Sequence, residues 1–380
     1  MADGPDGPLP DPLEVARLAG IAGGPEVMLG WAVREPPWLE ATPLVVTTVL
    51  TGPGTRAAVA RGRVRPVPAR LSALPGLLAG RLRPAVAVVG AHEDGGGWRL
   101  AHSPGFALAA ARQAGAVVVE RWPGPASPGS PELVGSVVGV LERSDAPDPP
   151  PANRIGGTHR RIGENVAGLV PPGATVQWGP GAIGASVVAA LQSPVRVRSG
   201  LVTDELVALD ERGLLLGTAE TAYLWGGPAL RRLAAEGRLL LRGVEVIHDL
   251  SAISAIEGFV AINTALQVGL DGAANVEVVD GRVVAGAGGH PDFAVGAARS
   301  PGGLSVVALA SVDRAGRSTI VARPEVVSTP RSDVDVVVTE HGVADLRHAS
   351  MAERAVRLIA VAAPEHREPL AAATPLSRRT

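Results

Sequence analysis

Short runs of β-branched and other apolar residues alternate with alanine-rich amphipathic stretches along most of this chain. PLVVTTVL (43–50), AVAVVG (85–90) and AVVVE (116–120) are nearly apolar throughout. Strands that are buried on both faces read this way, and strands separated by helices pair in parallel. FALAAARQAG (106–115) predicts the crossover helix between the last two, stopped at Gly115. The second half repeats the grammar. HRRIGENVAGLV (159–170) sets Ile162, Val166 and Leu169 on one helical face. TVQW is a strand, GPG a turn and AIGASVVAAL a helix. VRVRS is a strand, and TDELVALDERG is a helix with Thr203 as N-cap and Gly213 as its stop. PALRRLAAEG starts on Pro228 and ends at Gly237. VEVIH, FVAIN, VEVVD, SVVALA, STIVA and DVDVVVT read as further strands, and MAERAVRLIAVAAPEH as a closing helix.

The expected architecture is α/β: two similar open, mostly parallel-sheet domains with helices on both faces and a cleft between them. Proline density in DAPDPPPANRIGG divides the chain into a first domain (1–145), a linker (146–158) and a second domain (159–380). With 380 residues, 46% of them hydrophobic, both domains have enough material for a core.

Composition removes several kinds of chemistry. A net charge of -2 leaves no electrostatic footprint for nucleic acid. The chain has 0 cysteines, so thiolate nucleophiles, thiolate metal sites and disulfides are excluded. Every basic residue counted is arginine, which excludes Schiff-base chemistry. MADGPDGPLPDPLEVARLAG lacks the pattern of a signal peptide. The uncharged stretch 166–195 is broken by Pro171, Pro172, Gly179, Pro180 and Gly181, so no membrane span is expected. The expectation is a cytoplasmic protein without nucleic-acid or membrane partners.

Three stretches are dense enough in glycine or polar residues to carry chemistry. TVQWGPGAIGAS runs from strand to turn to helix; on spacing alone an ordinary strand-to-helix turn is the favoured reading, the alternative being free amides that favour an anion or a polarised carbonyl oxygen. GAGGHPDF either lets a ligand approach bare backbone or forms a hairpin in which Asp292 caps its own turn. TEHGVADLRH holds Glu340, His341 and Asp345, but adjacent residues of an extended chain point apart, so no metal site is expected. A strand end, a glycine turn and a capped helix account for it.

Taken in order, IGENVAGLV, VQWGPGAIGASVVAAL, FVAINTALQVGLDG, GAGGHPDFAVGA and VVVTEHGVADLR resemble the acetyl-CoA hydrolase/CoA-transferase family, which includes acetate, succinate and 4-hydroxybutyrate CoA-transferases. Residues 63–91 resemble its first-domain segment. The resemblance implies a cleft that takes a small acyl-CoA and a carboxylate, with coenzyme A as substrate, no tightly bound cofactor, and a dimer or pairing with a related chain. It also implies that a glutamate attacks the thioester, giving an acyl-glutamyl anhydride and then a glutamyl-CoA thioester. Amides of the glycine loops would stabilise the oxyanion. Gly179, Gly181, Ala182, Asn263 and Gly286 are then expected to face the thioester or CoA. So are Gly288, Gly289, Asp292 and Phe293.

One departure changes the chemistry. The stretch VRVRSGLVTDEL places Gly200 where the family carries its nucleophilic glutamate. Three routes stay open. Asp204 or Glu205 reaches the thioester; or water fills the space by Gly200 and is activated by His290 or Asp292; or the scaffold binds acyl-CoA or a partner chain without turnover. Asp204, Glu205 and His290 are the catalytic candidates.

Overall fold

The computed structural model describes residues 3–5, 7–22, 24, 26–143 and 150–373. Its centre is an eight-stranded sheet. In spatial order the strands are Leu239–Leu241, Ala219–Leu224, Arg196–Val202, Thr175–Trp178, Phe259–Thr264, Leu304–Ala308, Val336–Thr339 and Gly342–Asp345. All neighbours are parallel except the last pair. The valine-rich strands are buried because helices cover both faces; Leu304–Ala308 is buried at all five positions.

From Thr175–Trp178 the chain adds strands outward on one side, then returns to place Phe259–Thr264 on the other. The order therefore reverses between these two neighbours. Open α/β sheets bind ligands in the crevice outside the carboxyl ends of the strands at such a reversal.

The N-terminal part is α/β as well, but its strands divide over two small sheets. Val27–Leu29, Val46–Thr48 and Val64–Pro66 form a parallel sheet, and Gly97–Leu100, Val86–Asp94, Ala116–Trp122 and Val137–Glu142 form the other, in that order. One apolar cluster joins the two parts: Phe106, Leu108 and Val117 share it with Tyr223, Ile247, Phe259 and Phe293. Of the expected linker, residues 146–149 lie outside the described residues. From 150 to 156 the backbone has neither helix nor strand, and the next helix begins at Gly157.

Several local expectations need correction. VEVIH is not a strand: Val244–Ile247 is a helical turn with His248 at its C-cap. Val244 and Ile247 pack against the first part of the chain while Val246 is exposed, and this tertiary burial overrides β propensity. Thr203 is not the N-cap of the following helix, Glu205–Glu211; Asp204 holds that position. The Thr203 hydroxyl instead donates to the Glu205 carboxylate. The closing helix is two helices, Met351–Val361 and Pro364–Ala372, parted where Pro364 lacks the N–H to continue the first. After Glu340 the chain turns back as the strand Gly342–Asp345, not a helix.

The N-terminal segment is anchored by a buried acid. Asp3 accepts hydrogen bonds from the Phe106 N–H at 2.8 Å and from the Tyr223 hydroxyl at 3.0 Å. Desolvation by burial pushes its carboxyl up to about 7, against the opposing pull of those donors. An acid with a raised folded pKa holds its proton more tightly in the native state, so its contribution to stability declines as pH rises from about 4 to about 7. Asp3→Asn removes that penalty. Its melting temperature relative to wild type should be higher at pH 8 than at pH 4.5, and a pH-independent difference in thermal scans would refute this assignment.

Candidate functional site

A cavity of about 450 Å³ lies where the two parts meet, at the strand-order reversal. The first part contributes Trp31, Leu50, Thr51, Gly52, Pro53, Arg56 and Leu71. The central sheet contributes its carboxyl ends: Trp178 and Gly179, Gly200 and Leu201, Tyr223, and Thr264 and Ala265. The floor between the reversing strands is polar. Gln177 donates to Asn263 at 3.2 Å, and both side chains are buried.

GAGGHPDF forms one wall, and it is neither a hairpin nor a self-capped turn. Gly289 is the N-cap of the helix His290–Arg299, so the positive end of that helix meets the cavity. The glycines admit the protein's own other half. A Cβ on Gly286 would lie 2.7 Å from Leu50 Cδ1 and 3.1 Å from Leu50 Cα. The Gly286 N–H donates to the Thr51 carbonyl at 3.2 Å, and the Leu71 N–H donates to the Gly288 carbonyl at 3.1 Å. Asp292, fully buried, accepts from the Ser72 N–H at 3.0 Å and from its hydroxyl at 2.6 Å. It therefore fastens the two parts together, and does not line the cavity.

Gly200 and Gly289 come from different turns and meet the same two rings. A Cβ on Gly200 would lie 3.1 Å from His248 Nε2 and 3.1 Å from Phe293 Cε2. One on Gly289 would lie 2.2 Å from His248 Cε1 and 3.3 Å from Phe293 Cε2. The imidazole is thus wedged over bare backbone, with its centroid 4.8 Å from that of Phe293.

Of the residues expected at the site, Gly179, Gly200, Asn263, Gly286, Gly288, Gly289, His290 and Phe293 line the cavity. Gly181 and Ala182 do not; Gly181, at a φ of 110°, caps the helix Ala182–Ala190 behind the turn. Asp204 and Glu205 are engaged elsewhere. Asp204 accepts from the Gly227 N–H at 2.9 Å, and Glu205 from Asn153 at 2.8 Å as well as from Thr203. His290 is buried, which lowers its pKa to about 4 despite its bond to the Thr264 carbonyl, so it is a weak base near neutrality. Glu340 accepts from the Ser311 N–H and hydroxyl at 3.0 and 2.8 Å. No cluster of metal-ligating side chains occurs among the described residues. His248 was not expected here. A single histidine inside VEVIHD carries no spacing signal, and its strand reading pointed it nowhere in particular.

Residues 230–374 match the acetyl-CoA hydrolase/transferase C-terminal domain. The chain is 30% identical over 232 residues to 4-hydroxybutyrate coenzyme A transferase of Clostridium kluyveri, covering 57% of this chain and 54% of that protein. It is 31% identical over 222 residues to acetyl-CoA hydrolase of Candida glabrata, covering 56% and 41%. The chain thus spans about half the length of the relatives it matches. Its fold superposes on RipA from Yersinia pestis with a TM-score of 0.88 at 25% identity, covering 100% of this chain and 93% of that one. For 4-hydroxybutyrate CoA-transferase from Porphyromonas gingivalis the TM-score is 0.76 at 25% identity, covering 97% of each. Among the described residues, no helix is long and apolar enough to cross a membrane.

Proposed function

We propose that the cavity receives the thioester end of a small acyl-CoA, and that the chain cleaves this bond by passing CoA to a carboxylate or the acyl group to water. The observation that carries the reading is a set of buried polar atoms without hydrogen-bond partners: Gln177 Oε1, Asn263 Nδ2, His248 Nε2 and His290 Nε2. All four residues line this one cavity. Buried polar groups in native proteins are nearly always satisfied, and each left unmade costs roughly 1–3 kcal/mol. A bound thioester with its amide-bearing arm supplies both donors and acceptors. Apolar walls from Trp31, Leu50, Leu71 and Phe293 suit the acyl chain and exclude water.

The test is calorimetric titration with a thioether analogue of acetyl-CoA, followed by free-thiol release from acetyl-, propionyl- and succinyl-CoA with and without acetate. The combined variant Gln177→Ala, Asn263→Ala should weaken analogue binding at least about tenfold, or about 1.4 kcal/mol. No binding by the wild type would sink the acyl-CoA reading. Binding without thiol release across the panel would favour a homologue that holds acyl-CoA without turnover. A division into two domains at residues 146–158, a dimer or a pairing with a related chain, and a cytoplasmic setting are proposed on the resemblance and on composition.

A further inference from the structure

We infer that His248 is the general base that directs water onto the thioester, with Asp292 and Ser72 as its positioning partners. The inference rests on the acyl-CoA reading above and names the acceptor within it. Among the described residues, no carboxylate lines the cavity, so a glutamyl or aspartyl anhydride has no side chain to form on. What faces the vacant position of residue 200 is an imidazole. His248 Nε2 sits 3.1 Å from the point where a side chain on residue 200 would begin, and it has no hydrogen-bond partner.

The other side of the ring meets a carboxylate. His248 Nδ1 lies 3.5 Å from Asp292 Oδ2, too far for a good hydrogen bond, so Nδ1 like Nε2 is unpartnered, and both side chains are buried. A carboxylate on that side favours the proton on Nδ1 and leaves the lone pair on Nε2 turned toward Gly200. Asp292 is itself held by two bonds from Ser72, which belongs to the first part of the chain. The string Ser72, Asp292, His248 is a nucleophile-free version of an acid–imidazole pair, with water in the position of the attacking hydroxyl. Active-site geometry of this kind tightens when substrate closes around it.

The step balances as follows. Nε2 takes a proton from water as the water oxygen bonds to the thioester carbonyl carbon. The tetrahedral oxyanion collapses, the carbon–sulfur bond breaks, and the imidazolium returns its proton to the departing CoA sulfur. The products are a carboxylate, free CoA and one proton released to solvent.

The experiment compares wild type with His248→Ala, His248→Gln and Asp292→Asn, measuring free-thiol release from acetyl-CoA and calorimetric binding of its thioether analogue. We expect kcat to fall at least about a hundredfold in all three, the range of a lost general base. KM and analogue affinity should stay within about threefold. Added imidazole should restore at least a tenfold part of the loss in His248→Ala, where a hole is left, and none in His248→Gln, where the space is filled. If His248→Ala does not fold, the split between kcat and KM in His248→Gln decides. Retention of more than a tenth of wild-type kcat in either His248 variant overturns the base. So does a loss accompanied by an equal rise in KM and no response to imidazole, which would mark a packing residue. Wild type that binds the analogue but releases no thiol overturns the base and leaves the binding site standing. Wild type that binds nothing overturns the acyl-CoA reading itself.

Discussion

Restoring a carboxylate at residue 200, with His248 cut back to make room, should turn the protein into one that captures CoA. Gly200 has no unusual backbone dihedral that requires glycine; the requirement comes from the rings above it. At 3.1 Å from both His248 and Phe293, a Cβ is tighter than ordinary contact, so Gly200→Glu alone must displace the imidazole. We expect the single variant to lose most thioester hydrolysis, more than about tenfold, because the ring it moves is the proposed base. In the combined variant Gly200→Glu, His248→Ala, the carboxylate has space to attack the carbonyl carbon. CoA thiolate leaves, an acyl-glutamyl anhydride forms, and the thiolate then returns to residue 200 with release of the acyl carboxylate. The product is a glutamyl-CoA thioester, visible by intact-mass spectrometry as an added CoA less one water. A folded double variant that binds the thioether analogue yet never carries CoA would show that residue 200 is not at the thioester.

Gly184→Ala should be among the most damaging conservative changes in the chain. In an ordinary helix the exchange would stabilise by up to about 1 kcal/mol through propensity. Here the new methyl would sit 2.1 Å from the Gly179 carbonyl oxygen and 3.2 Å from Trp178. The first of these is main chain and cannot swing aside, so the turn that forms part of the cavity wall has to shift. Overpacking costs of about 1–3 kcal/mol outweigh the propensity gain, and the net loss should be about 1 kcal/mol. Because Gly179 and Trp178 line the cavity, analogue affinity should fall as well. Urea denaturation with an unchanged slope reads the first effect, and calorimetry the second. A variant as stable as wild type would mean that the turn is softer than its contacts imply.

Much of the architecture was legible in the sequence because the signals there were local. Apolar strands such as AVAVVG and SVVALA need cover on both faces wherever they are placed, and capped helices such as Pro228–Ala235 announce their own ends. The reading failed where a distant segment decides the outcome. VEVIH has β-branched composition, yet burial of Val244 and Ile247 against the first part makes it helical. The glycine density of GAGGHPDF left a turn and a close approach equally open, and composition could not say what would approach. Leu50, Thr51 and Leu71 come up against Gly286 and Gly288, and only the fold brings residues so far apart together. Likewise, Asp204 and Glu205 looked available beside Gly200 in sequence, while in space they cap and brace the loops around them. His248 had no motif at all; its standing comes from the two glycines that make room for it.

The bond from Ser72 to Asp292 has a consequence for how such a protein can be divided. The hydroxyl that steadies the acid behind His248 is contributed from 220 positions away, on the opposite side of the proline-rich connection. Severed there, each piece would lose its share of the apolar cluster that joins the two parts and would carry an incomplete apparatus, so the arrangement exists only where both are present.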